Sequence, residues 1–234
     1  MHDRLREFPD ADGMIANLAD EIVRRLSAAV RDRGRASFVV SGGTTPGALF
    51  DVLCERDAPW DKVWITLSDE RWIAPSEDGS NENLVRTRLL RGKAAAAHFV
   101  PMKTKDAKPE DAQATVGAAI TAMPHPFDVT ILGMGDDGHT ASLYPHAPEL
   151  KAALDTNAAA LVHAVHAQNA AATGDRMTLT LRAILDSKWI VVLIKGDGKM
   201  KTYRDAEQGS DPLEMPVRTV LAQANVPVEV FWAP

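Results

Sequence analysis

Residues 132–145 read LGMGDDGHTASLYP, and their types and spacing point to acid–base chemistry. Glycine lets backbone approach a ligand closely, and Gly133, Gly135 and Gly138 punctuate the segment. A histidine, with an ordinary pKa of about 6.5, can take a proton at neutral pH. A neighbouring carboxylate can hold its tautomer and its charged form. His139 is therefore the candidate general base, with Asp137, two residues earlier, as the group that orients it. Ser142 reads as a loop-fixing residue rather than a nucleophile, because the chain has no G-x-S-x-G elbow.

Three further segments carry groups suited to an anion. Ser41-Gly-Gly-Thr-Thr-Pro46 is a glycine and hydroxyl turn opening a helix, where backbone N–H groups and the helix dipole favour negative charge. It matches neither of the two glycine-rich nucleotide motifs, and a capped strand-to-helix turn explains it equally well. Asp69-Glu70-Arg71 puts a guanidinium, which can grip a phosphate through two parallel hydrogen bonds, beside two carboxylates. A surface salt-bridge cluster is the alternative there. The fourth segment is 196–201, GDGKMK.

These segments need elements to position them. Apolar residues spaced by three and four predict a helix over 14–33, stopped by Gly34. Short apolar runs predict buried strands at 36–40, 62–67, 127–132, 189–194 and 228–232, with weaker ones at 98–101 and 159–165. Helices are expected from a Thr45 cap and Pro46 to about 55, then at 83–90 (capped by Ser80 or Asn81), 109–123, 180–185, 199–207 and 217–222. Strands alternating with helices imply an α/β fold: a mostly parallel, doubly wound, Rossmann-like sheet with helices on both faces. No linker divides it, so residues 1–234 are expected to be one domain, with 166–176 its least regular segment. In such sheets ligands bind beyond the carboxyl ends of strands. Segments 41–46, 68–72 and 133–145 all fall there.

The bulk composition limits the function classes. Apolar residues make up 45 % and charged residues 25 % of 234, which is ordinary globular composition. The net charge of -6 argues against a sequence-independent nucleic-acid partner, but a locally positive pocket can still take a small anion. Cys54 is the sole cysteine, which suits a reducing compartment. The opening MHDRLREFPDADG has no apolar signal core, and no run approaches the roughly 20 apolar residues of a membrane span. A cytoplasmic location with no membrane association is expected. His163 and His166 fall on opposite faces of a strand and no H-x-x-x-H or C-x-x-C pair occurs, so no metal site is expected.

Taken in order, the motifs SGGTTP (41–46), DERWIAPSEDGSN (69–81), LGMGDDGHTASLYP (132–145), RMTLT (176–180) and GDGK (196–199) resemble those of the 6-phosphogluconolactonase family, relatives of the glucosamine-6-phosphate isomerases and deaminases. The resemblance implies hydrolysis of 6-phospho-D-glucono-1,5-lactone to 6-phosphogluconate, without metal, cofactor or obligatory protein partner. It implies that His139 activates water and that Arg71, Arg176 and Lys199 hold the phosphate or support the oxyanion. Gly42, Gly43 and Thr44 match the phosphate-side loop, with Ser41 and Asp69 in support. Two positions separate this chain from the deaminase branch, which reads Asp-Glu-Tyr at 69–71 and carries a Glu where this chain has Tyr144. One departure is 170–175, AATGD after Ala170, where the family carries a proline-rich stretch. Two rival readings are an isomerase or deaminase of amino-sugar phosphates, and a non-catalytic sugar-phosphate sensor. Sensors of that kind carry an attached DNA-binding module, and this chain opens on its first α/β helix.

Overall fold

The computed structural model describes residues 4–167 and 173–234. In chain order the elements are β1 (Leu5–Glu7), α1 (Ala11–Arg33), β2 (Ala36–Val40), α2 (Thr44–Leu53), β3 (Val63–Leu67), β4 (Asp69–Arg71), α3 (Asn81–Arg88), β5 (His98–Phe99), α4 (Pro109–Thr121), β6 (Val129–Leu132), α5 (Leu150–Ala153), β7 (Val162–His166), β8 (Asp175–Leu179), α6 (Leu181–Leu185), β9 (Ile190–Lys195), α7 (Asp197–Gln208), α8 (Val217–Ala222) and β10 (Val228–Ala233). Seven strands form one sheet in the order β1-β10-β9-β6-β2-β3-β5. Every pairing in it is parallel. Every residue of β2 and β6 is buried, so both faces of the sheet are covered, as their unbroken apolar runs require.

From β2 the chain builds outward through β3 and β5. It then crosses back to β6 and builds the other way through β9 and β10. The direction of growth therefore reverses between β2 and β6, the place where an open parallel sheet leaves a crevice at its carboxyl edge. The segments that follow these two strands are 41–43 and 133–135.

Three strands depart from the expected arrangement. β4, β8 and β7 form a separate antiparallel sheet, in the order β4-β8-β7, rather than joining the parallel one. The expected strand at 159–165 is β7, on the edge of that sheet. Segments 69–71 and 175–179 are strands, although their sequences DER and DRMTL lack the apolar run that marks a buried one. β1 and the short α5 were also not expected. Within the irregular segment expected at 166–176, His166 ends β7 and Asp175 opens β8, while 168–172, and with them most of the departure at 170–175, lie outside the described residues. The first cap also differs. Gly43, not Thr45, is the N-cap of α2, so the helix begins one residue before Thr45 and has no side-chain cap bond. Ser80 caps α3 by accepting from the Asn83 N–H, as one of the two expected choices.

The small sheet is pinned to α4 through His166. Its Nδ1 lies 2.7 Å from Asp175 Oδ1 and its Nε2 lies 2.7 Å from Glu110 Oε1. Both nitrogens can donate to carboxylates only in the imidazolium form. The Asp175 bond raises the pKa of His166, burial opposes this, and Glu110 adds to the rise. A folded-state pKa above the unfolded one stabilises the fold below the unfolded value and loses that contribution as pH rises through the folded value. His166→Gln is therefore expected to destabilise the protein at pH 6 and to approach the parent by pH 9. The side chain is 39 % exposed, so the loss at pH 6 is about 0.5–1 kcal/mol. Urea midpoints at both pH values check this, and an equal difference at both would contradict it.

Candidate active site

A cleft of about 240 Å³ opens at the crevice between β2 and β6. Ser41 and Gly42 line it from the end of β2, Asp69 and Arg71 from β4, and Arg176 from β8. Gly133, Met134, Gly135, His139, Ala141 and Tyr144 line it from the loop after β6, and Lys199 from α7. Of the residues singled out in the sequence, Ser41, Gly42, Asp69, Arg71, His139, Arg176 and Lys199 thus meet in one place. Asp137 stands behind His139. Gly43 and Thr44 line an adjoining hollow instead, together with Gly196 and Lys195. The N-termini of α2 and α7 both open on that hollow, and neither has a side-chain cap bond. Uncapped N–H groups at two helix starts favour an anion there.

The loop after β6 is built around the histidine. The Gly135 N–H donates to the His139 carbonyl at 2.9 Å. A Cβ at Gly135 would fall 2.1 Å from His139 Nδ1, so only glycine allows the imidazole to lie this close to the backbone. Ala141, a lining residue, is held at φ 49°, a left-handed conformation that costs a non-glycine residue about 1 kcal/mol. The Asp137 carboxylate accepts from the His139 backbone N–H at 3.0 Å and lies 2.6 Å from Nδ1. An ionised carboxylate only accepts, so Nδ1 carries the proton, and in the neutral imidazole the lone pair is then on Nε2. Burial acts to raise the Asp137 pKa, but the bonds from His139 outweigh it and hold the group below its usual range. Asp137 is thus an anion at neutral pH.

The cationic side of the cleft comes from the small sheet. Arg71 and Arg176 are directly paired across β4 and β8. Like charges facing each other on an antiparallel pair destabilise it, unless an anion lies between or beside them. Arg176 is buried, with Nη1 3.8 Å from Asp69 Oδ2. Asp69 also accepts from Ser68 Oγ at 3.0 Å and from Ser142 Oγ at 2.6 Å. The Ser142 hydroxyl is therefore committed to fixing the loop, as expected from the sequence. Arg71 donates to the Gly79 carbonyl. Lys199 lies 2.7 Å from Asp136, whose side chain is 87 % exposed, so solvent screens the pair and a stronger anion can replace it.

Several contributors were not among the sequence candidates. Tyr144, which separates the chain from the deaminase branch, also forms part of the cleft wall. Burial raises the pKa of its phenol, which stays neutral. Asn81 donates to the Asp69 carbonyl at 2.8 Å and packs on Gly42, where any Cβ would fall 1.9 Å from Asn81 Oδ1. Glu70 turns away from the anion site. Its carboxylate accepts from the N–H groups of Arg71, Asn81 and Glu82 and from Ser80 Oγ, and so closes the N-terminus of α3. Burial pushes its pKa up and these backbone bonds pull it back. The capping Ser80 and the carboxylate of Glu70 meet only through the tertiary fold, so spacing alone could not reveal the pair.

Among the described residues no group of three His, Cys, Asp or Glu side chains could hold a metal, and no helix is long and apolar enough to cross a membrane. The family model for glucosamine-6-phosphate isomerases/6-phosphogluconolactonase matches residues 9–232. A 6-phosphogluconolactonase of Mesorhizobium japonicum is 44 % identical over 97 % of this chain and 94 % of its own. One from Rhizobium meliloti is 40 % identical over 97 % of each chain. The crystal structure of a 6-phosphogluconolactonase from Shewanella baltica superposes with a TM-score of 0.96 at 40 % identity, covering 100 % of this chain and 98 % of that one. By sequence and by fold, the chain belongs to the glucosamine-6-phosphate isomerase/6-phosphogluconolactonase family.

Proposed function

We propose that this protein hydrolyses 6-phospho-D-glucono-1,5-lactone to 6-phospho-D-gluconate, as a 6-phosphogluconolactonase of the oxidative pentose phosphate pathway. The observation that carries this reading is a histidine whose Nδ1 lies 2.6 Å from a carboxylate, beside opposed arginines, in a cleft at the sheet's switch point. His139 takes a proton from water through Nε2 as the water oxygen attacks the lactone carbonyl carbon. Asp137 offsets the charge gained by the imidazole. The tetrahedral intermediate collapses, the carbon–ring oxygen bond breaks, and His139 returns the proton to the departing oxygen. No covalent enzyme intermediate, metal or cofactor takes part. A δ-lactone is an activated ester, so one positioned base, giving roughly 10²–10⁴-fold, is a useful share of the acceleration.

Arg71, Arg176 and Lys199, with Gly42, Gly43 and Thr44, hold the phosphate and offset the charge that develops on the lactone oxygen. Ser41 and Asp69 support them. Binding the remote phosphate orients the carbonyl against the base. The deaminase reading requires a second acid group near His139, and Tyr144 stands there instead. The single chain 1–234 acts on a small anion in the cytoplasm, a reading supported by the net charge of -6 and one cysteine. No nucleic acid, membrane or second protein is needed.

The direct test generates the lactone with glucose-6-phosphate dehydrogenase and follows acid release with and without the protein. Acceleration is expected, and none at micromolar enzyme would defeat the reading. Arg71→Ala is expected to raise KM about tenfold or more, the loss of one charge-assisted hydrogen bond, and to weaken competition by inorganic phosphate. An unchanged KM would move Arg71 out of the anion site.

A further inference from the structure

Asp137 fixes one point of the His139 ring, and one point does not fix a plane. The bond to Nδ1 and the Gly135 backbone close to the Nδ1–Cε1 side restrain one edge of the imidazole, and the χ2 torsion of histidine has only broad preferences of its own. The His139 side chain is 27 % exposed, so general packing does not hold it on every side. The aromatic ring that lies against it is that of Tyr144. The two ring centroids are 4.2 Å apart with the planes 35° from parallel. The Arg176 guanidinium carbon lies 5.4 Å from the centroid of the same tyrosine ring. One aromatic ring thus touches both the base and a buried cation of the cleft.

We propose that Tyr144 is a positioning residue whose ring sets the plane of the His139 imidazole, so that Nε2 faces the attacking water. This rests on the reading of His139 as the base. The ring serves in two ways. It limits the tilt of the imidazole, and displacement of a reacting group by about 1 Å costs on the order of 10²-fold in rate. Its electron-rich face also favours the imidazolium formed when the water proton is taken up. The phenol hydroxyl makes no hydrogen bond to protein among the described residues, and burial keeps it neutral, so the role belongs to the ring. Aliphatic bulk of similar size would fill the space without supplying a flat face.

The experiment compares Tyr144→Phe, Tyr144→Leu, His139→Ala and the Tyr144→Leu/His139→Ala double variant in steady-state lactone hydrolysis. Tyr144→Phe is expected to keep kcat within about threefold. Tyr144→Leu is expected to lower kcat roughly 10- to 100-fold and leave KM within about threefold. In the His139→Ala background Tyr144→Leu should cost nothing further, because the ring acts through the imidazole. If Tyr144→Leu fails to fold, Tyr144→Met carries the same expectations. A Phe variant as slow as the Leu variant would assign the role to the hydroxyl and overturn the proposal. So would an equal loss from Tyr144→Leu with and without His139. Near-normal kcat in His139→Ala alone would remove the base itself, and that result is read before any tyrosine variant is considered.

Discussion

His139→Ala is expected to lower kcat by about 10²–10⁴-fold while KM stays within a few-fold of the parent. The asymmetry follows from where the groups sit. The cations proposed to meet the phosphate come from β4, β8 and α7, and the imidazole comes from the loop after β6. Removing the imidazole leaves the opposed Arg71 and Arg176 and the uncapped starts of α2 and α7 in place. An interaction made only as the proton moves costs kcat, whereas one made throughout costs KM. Asp137→Asn should lie between the parent and His139→Ala, since the amide can leave Nδ1 without its proton acceptor and turn the wrong nitrogen to the cleft. The measurement is initial-rate acid release with the spontaneous hydrolysis subtracted, at substrate concentrations on both sides of KM. Near-normal turnover in His139→Ala would remove it as the base. A large rise in KM would place the imidazole on the phosphate instead.

The parts of this site that can be read from the sequence are those made within a few residues. His139 and Asp137 are two apart, and their contact is legible from that spacing. The main sheet was legible because runs such as Val39–Val40 and Ile190–Ile194 are apolar without a break, which only a strand covered on both faces tolerates. The small sheet was not legible. β4 and β8 are short, and polar residues (Asp69, Glu70, Arg71, Asp175, Arg176 and Thr178) interrupt them, so although Met177 and Leu179 reach the core neither strand shows an apolar run. The anchoring of the loop after β6 is also out of reach of the sequence, since Ser142 and Asp69 are 73 residues apart. The family resemblance points to Arg176, and the sequence predicts an irregular segment at 166–176. Arg176 is instead a buried strand residue, paired directly with Arg71. Sequence periodicity reports which faces are apolar, and it carries no information on which polar residues from different strands will meet.

The buried pair of Arg176 and Asp69 leads to the second large effect. Arg176→Met is expected to cost about 3–5 kcal/mol of stability, because it leaves Asp69 a buried carboxylate. The Ser68 and Ser142 hydroxyls, its side-chain hydrogen-bond donors among the described residues, would stay, but the nearby cation would be gone. The same variant should raise KM for the lactone roughly ten- to hundredfold, the loss of a charge-assisted hydrogen bond to phosphate. These two consequences have different causes and can be separated. Adding Asp69→Asn removes the stranded charge while keeping an oxygen and an amide that can meet both serines. The double variant should therefore recover most of the lost stability, a coupling of the kind expected for residues in one network. It should recover none of the affinity if Arg176 holds the anion as proposed, because the guanidinium is still gone. Urea midpoints and KM, measured on the two single variants and the double, decide the matter. If affinity returned along with stability, Arg176 would serve only to neutralise Asp69, and the anion would be left to Arg71, Lys199 and the two helix starts. If neither returned, the cost of Arg176→Met would lie in the space left by a large buried side chain, and the ion pair would contribute little to the fold.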